Sequence, residues 1–142
     1  MQTTVEHQEI YKGLVIVVNN HVYDSETTNH LKTRGIKLNP WRCGYVGVDK
    51  TNLLYGVGYC NPTDVLAGKR PEDFLEVHGG LTYSGPADDK EASYPIPTIM
   101  PIWFFGFDTN HYGDYHELWP LDKVIEETKR LADQIATLEI KP

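Results

Sequence analysis

The chain carries no GxxxxGK[ST] phosphate loop, no GxGxxG, no GxSxG and no HExxH. Those absences remove most nucleoside-triphosphatase, dinucleotide-dependent oxidoreductase and common hydrolase readings. Cysteine is scarce, and Cys43 and Cys60 lack CxxC or zinc-type spacing, so both are expected as reduced, partly buried thiols without chemistry. Long apolar runs are missing: the longest early one is Leu14–Val18, far short of a membrane span. Met1 to Ile10 carries Glu6 and Glu9 rather than a basic start and an apolar core, which predicts neither a cleaved leader nor an anchor. The 13 Lys and Arg are scattered in a chain of net charge −7, so no cation array awaits a polyphosphate backbone and long nucleic acid is not expected as a partner. A small anion remains compatible with that charge, because backbone N–H groups and one or two local cations suffice to hold it.

What is present fits one globular domain spanning residues 1–142, long enough to enclose its own core. Tyr11–Asn19 holds the β-branched run Leu14-Val15-Ile16-Val17-Val18, which predicts a buried strand that turns at Asn19-Asn20 and pairs with His21-Val22-Tyr23. Asp24–Asn39 reads as a long polar connection with a short helical turn, stopped by Pro40. Trp41–Val48 alternates with period two, and Leu53–Tyr59 is its expected hairpin neighbour. A short helix is expected to open at Pro71, where proline suits the first helical position. Val77–Ser84 reads as extended, and Gly85 to Pro97 as a loop that is the candidate to close a site. Ile99–Phe107 is apolar on both alternating faces, as a central strand covered on both sides would be. Val124, Ile125, Leu131, Ala132 and Ile135 recur at helical spacing opposite a charged face, predicting a helix over Leu121–Leu138. The class is α+β: a largely antiparallel, or mixed, sheet with a long C-terminal amphipathic helix packed on it.

Two segments carry candidate chemistry. In His78-Gly79-Gly80-Leu81-Thr82-Tyr83-Ser84-Gly85, paired glycines permit close backbone approach, and Thr82, Tyr83 and Ser84 offer hydroxyls to phosphate or sugar oxygens. Its structural alternative is a glycine bulge with Thr and Ser facing solvent. The second segment, Gly106-Phe107-Asp108-Thr109-Asn110-His111-Tyr112-Gly113-Asp114, follows the most apolar strand. There Asp108, His111 and Asp114 are spaced three apart and offer a divalent metal its ligands, joined by His78 or His116; without metal, His111 serves as a general base oriented by either aspartate. The structural alternative is that both aspartates cap turns. Candidate catalytic residues are therefore His78, Asp108, His111 and Asp114, and candidate ligand-binding residues Gly79, Gly80, Thr82, Tyr83, Ser84 and Tyr112. Tyr83, Tyr112, Tyr115 and Trp119 are placed to stack on a ring, whereas Trp103, Phe104, Phe105 and Phe107 are expected in the core. His7, His21 and His30 are expected to be solvated.

The ordered set Trp41-Arg42-Cys43-Gly44-Tyr45-Val46, Val77–Gly85, Trp103–Asp114 and a closing amphipathic helix resembles a family of small phage and prophage proteins, over roughly Trp41 to Ile140. Members tend to carry a cysteine and small residues around the histidine. This chain has Thr109, Asn110 and Tyr112 there, leaving Asp108, His111, Gly113 and Asp114 as the matching positions. The resemblance implies a phage or prophage origin and a host-cytoplasmic setting, and brings no activity with it. Three functions stay open: a binder of a nucleotide-like ligand that sequesters a host signalling nucleotide in counter-defence, a metal- or His-dependent hydrolase of a phosphoester or nucleotide, and an interaction protein that inhibits a host enzyme. Whether it is an enzyme, holds a divalent metal, or forms a homo-oligomer stays open with them.

Overall fold

The computed structural model describes residues 2–36, 38–87 and 101–138. The elements, in chain order, are β1 (Gln2–Tyr11), β2 (Leu14–Val22), α1 (Ser25–Lys32), β3 (Trp41–Val48), β4 (Tyr83–Pro86), β5 (Trp103–Asp108) and α2 (Leu121–Thr137), with short 3-10 turns at Asp64–Leu66, Pro71–Asp73 and His116–Leu118. The strands form one five-stranded sheet in the order β1-β2-β3-β5-β4, antiparallel throughout, and α2 packs across β2 and β3. The fold is therefore α+β with the C-terminal helix on the sheet. No helix among the described residues is long and apolar enough to cross a membrane.

Period-two facing gives each strand two jobs. Ile16 and Val18 of β2, Val46 and Val48 of β3, and Phe105 and Phe107 of β5 meet Val124, Leu131, Ala132 and Ile135 of α2. Val15 and Val17, Cys43 and Tyr45, and Phe104 form a second cluster on the opposite face. β5 is buried on both sides, as its unbroken apolar run predicted. Gly44 of β3 lets α2 come close to the sheet: a Cβ there would collide with the Thr128 hydroxyl and the Phe107 ring.

Some expectations are corrected. Asn19-Asn20 does not turn the chain; β2 runs on through His21 to Val22, and its hairpin partner is β1. That hairpin closes on Lys12-Gly13, both at positive φ (51° and 77°), the two-residue primed turn whose twist matches the strands. Leu53–Tyr59 is a series of turns rather than a strand, so β3 pairs with β5 instead of a local neighbour. Extended structure after Val77 begins only at Tyr83, because the glycine pair before it turns the chain. The short helical turns expected after Asp24 and at Pro71 are present. Cys43 is buried and Cys60 exposed. Most of the expected Gly85–Pro97 loop lies outside the described residues.

Candidate functional site

Two anchors bring the candidate segments together beyond the end of the sheet. On one side, Thr109 prolongs the β3–β5 pairing past Asp108: its backbone N–H donates to the Arg42 carbonyl at 3.0 Å, and its hydroxyl exchanges hydrogen bonds with the Arg42 N–H at 3.2 Å and carbonyl at 3.1 Å. Everything after Thr109 is thus launched from a fixed point. On the other side, Gly80 N–H closes a tight turn on the Val77 carbonyl at 2.8 Å, with Gly79 and Gly80 both in the left-handed region. The His78 N–H donates to Glu127 of α2 at 2.8 Å, and Arg130 holds that carboxylate in turn at 2.6 Å. Thr82 N–H then joins the Gly106 carbonyl of β5 at 2.9 Å.

These anchors converge three ligating groups. His78 Nε2 lies 2.9 and 3.0 Å from the two Asp114 carboxylate oxygens, and His111 Nδ1 lies 3.1 Å from Asp114 Oδ2. One ligand atom from each of His78, His111 and Asp114 falls within 4.8 Å of the others. Tetrahedral zinc, with bonds of about 2.0–2.2 Å, sets its ligand atoms about 3.3 Å apart, so small side-chain movements bring this set to metal geometry. Asp114 is nearly enclosed, its side chain 8 % exposed. Burial alone would raise its pKa, but hydrogen bonds from His78, from the His111 backbone and from the His111 ring outweigh that and hold it below the ordinary carboxylate value.

Trp119 braces the centre, its ring centroid 4.1 Å from that of His78, with Lys123 Nζ 4.2 Å from the indole centroid and Arg42 Nη1 bonded to the Trp119 carbonyl at 3.1 Å. Asp108 stands beside His111, 3.4 Å from Nδ1, and accepts from the Thr82 hydroxyl at 3.1 Å and the Asn110 N–H at 2.9 Å. Its place among the metal ligands goes to His78, while His116 lies outside the ligating group. The turn-capping alternative holds as well, since Asp108 caps Asn110 and Asp114 accepts the His111 N–H at 3.0 Å. The same carboxylates shape the loop and face the imidazoles.

Asp108 also opens onto a cavity of about 210 Å³ on the sheet face away from α2, lined by His21, Trp41, Cys43, Tyr45, Thr82, Tyr83, Phe107, Asp108 and Asn110. Thr82 and Tyr83 therefore belong to the site, but Ser84 does not line it: its hydroxyl accepts the Tyr59 N–H at 3.0 Å. Tyr112 projects fully into solvent, and Tyr115 is exposed. Two aromatic neighbours in the cavity wall illustrate what sequence reasoning did not assign to the site. His21, expected to be solvated, is 3 % exposed, stacked on Trp41 with ring centroids 5.3 Å apart and bonded through Nδ1 to the Thr3 hydroxyl at 2.9 Å. Burial depresses its pKa, partly opposed by the negative field of Asp108. Trp41 is the other; its period-two pattern predicted the strand, while its partner strand decided what it would face.

No protein-family model matches this chain, and neither the curated proteins nor the solved structures give a significant match.

Proposed function

We propose that this protein is a metal-dependent hydrolase of a small phosphoester. The observation that carries the reading is the convergence of His78, His111 and Asp114 on one point, beside a cavity that shares Asp108 with them. Two imidazoles and a carboxylate suit zinc or manganese and leave coordination positions open, the arrangement of catalytic rather than structural sites. A metal held by His78, His111 and Asp114 would supply hydroxide near neutral pH and polarise a phosphoryl oxygen, the chemistry that exchanges an ester P–O bond for a bond to the oxygen of water, with the leaving alkoxide protonated from solvent. This chain's own contribution is placement. Glu127 fixes the backbone of His78, Trp119 braces its ring, Asp114 orients both imidazoles, and Asp108 stands 3.4 Å from the His111 ring. Net charge of −7 disfavours long polyanions and leaves small substrates as the fitting class.

The test is to load the protein with zinc, manganese or magnesium, measure ions retained per chain, and assay small phosphoesters by mass spectrometry. Retention of one ion per chain, with turnover lost on chelation and in Asp114→Asn, is the expected result. No retained ion and no product overturns the proposal.

The aromatic cavity favours a second reading, a binding protein that holds its ligand unchanged; in a phage setting it would sequester a host signalling nucleotide. Recovery of the intact ligand after heat denaturation, with no product at any metal loading, decides for it.

A further inference from the structure

We propose that the cavity behind Asp108 is a subsite for the ring of a nitrogen heterocycle with an exocyclic amino group, which makes an amino-bearing nucleotide the substrate class. The inference rests on the hydrolase reading for its chemistry, and on the cavity alone for its recognition.

Size comes first. At about 210 Å³ the space is below the roughly 300 Å³ at which pockets begin to enclose whole drug-sized ligands, so it admits one flat ring system and leaves the remainder of the ligand outside. Its walls are flat as well. Trp41, Tyr45 and Tyr83 supply aromatic surface, and these rings are already locked by their neighbours: Trp41 against His21 and Tyr23 at 5.3 Å each, and Tyr45 edge-on to Tyr83 at 5.4 Å. A platform held rigid in this way orders little on binding, and the π-face of a base stacks on such aromatic side chains.

Polarity then selects among rings. An ionised carboxylate only accepts hydrogen bonds, with about four lone-pair sites over its two oxygens. Asp108 Oδ1 receives the Asn110 N–H and has His111 Nδ1 at 3.4 Å, whereas among the described residues Oδ2 receives the Thr82 hydroxyl alone. With about two lone-pair sites on Oδ2, these residues leave one of them on a carboxylate that lines the cavity. An amino group satisfies it. Uracil and thymine bring carbonyl oxygens on both sides of their ring N–H, and these are repelled by the same charge. Asp108 thus selects by rejection as well as by attraction.

Placement completes the case. Asp108 lines the cavity and its Oδ1 lies 3.4 Å from His111 Nδ1, so the subsite adjoins the group formed by His78, His111 and Asp114.

The experiment titrates metal-free protein with nucleosides that carry no phosphate (guanosine, adenosine, cytidine and uridine), following amide and indole N–H resonances by NMR. At least one amino-bearing nucleoside is expected to bind tenfold or more tightly than uridine, with shifts centred on Trp41, Tyr83 and Asn110, and Asp108→Asn is expected to abolish the preference. The wild-type comparison stands without the variant, should Asp108→Asn fail to fold. Equal binding of all four, no binding at millimolar concentration, or shifts centred elsewhere overturns the subsite. Metal retention and hydrolysis of bis(p-nitrophenyl) phosphate, which has no base, are read in parallel. Their failure counts against the hydrolase reading and leaves the nucleoside result intact, and the converse also holds.

Discussion

The backbone of Gly79 lies flat against the imidazole of His111: a Cβ built there would come 2.7 Å from Nε2 and 2.8 Å from Nδ1, and closer still to the carbon between them. Gly79 also has φ +69°, so the residue is required twice, once for its own backbone and once for the ring beside it. Gly80, at φ +82°, has open space around the same position. The pair separates two costs in adjacent residues.

Gly80→Ala is expected to lose about 1 kcal/mol of stability, the cost of an alanine held in the left-handed region. Gly79→Ala carries that cost and also displaces His111, so it is expected to lose about 2–3 kcal/mol and to weaken metal retention tenfold or more. Thermal unfolding with metal titration checks both. Equal behaviour of the two variants would remove the contact with His111 from the account.

Removing any member of the ligating set should act on metal before it acts on the fold. His78→Ala, His111→Ala and Asp114→Asn are each expected to lower zinc affinity by about two orders of magnitude or more, measured by competition with a chelator. Asp108→Asn is expected to change affinity far less, since Asp108 borders the set without joining it. A loss in Asp108→Asn as large as in Asp114→Asn would place Asp108 among the ligands.

Acid should destabilise the cavity wall through His21. Its folded pKa is depressed by burial below the ordinary value of about 6.5, so the unfolded chain takes up this proton first as pH falls. Neutral His21 therefore contributes its full stability above about pH 6.5, and that contribution is lost as pH falls from there towards the lowered folded value. The melting temperature of wild type is expected to fall more steeply as pH drops below about 6.5 than that of His21→Gln. Parallel curves would assign the acid sensitivity to another group.

Arg42 ties the polar edge strand to the site. Its guanidinium grips Glu6 through Nε at 2.7 Å and Nη2 at 3.4 Å while Nη1 holds the Trp119 carbonyl, and its side chain is only 12 % exposed. Arg42→Ala strands a half-buried carboxylate and frees Trp119, for an expected loss of about 2–3 kcal/mol. Arg42→Lys keeps the charge but cannot make this fork, and about half of that loss is expected to remain. Chemical denaturation of the two variants measures the difference; full recovery with lysine would reduce the role of Arg42 to its charge.

Apolar periodicity carries its own physical meaning, and the elements that have it were legible. The helix over Leu121–Thr137, the strand Trp41–Val48 and the doubly buried strand Trp103–Asp108 all expose or hide their side chains at the spacing their sequences announce. β1 was not legible, because it is polar along most of its length and becomes a strand by hydrogen bonding to β2. Its bulge lies between Val5 and His7, where Glu6, left out of the pairing, takes Arg42. The Lys12-Gly13 turn was the available signal.

The site divides along the same line. Residue chemistry alone marked His78, Asp108, His111 and Asp114, since His78 adjoins the chain's one Gly-Gly pair and Asp108, His111 and Asp114 recur three apart directly after the most apolar strand. Which of them meet was decided by tertiary structure: His78 reaches Asp114 across 36 positions only because Glu127 and the Arg42–Thr109 clamp fix the two loops against the same sheet end. Facing was decided there too. His21 is buried because it pairs with Trp41 in the β2–β3 register, and a slip of one residue would have turned it to the other face. Sequence determines which groups are available and which segments are periodic, because both are local properties; the partner of a strand and the direction of a loop arise from contacts between distant residues, and only the folded chain supplies them.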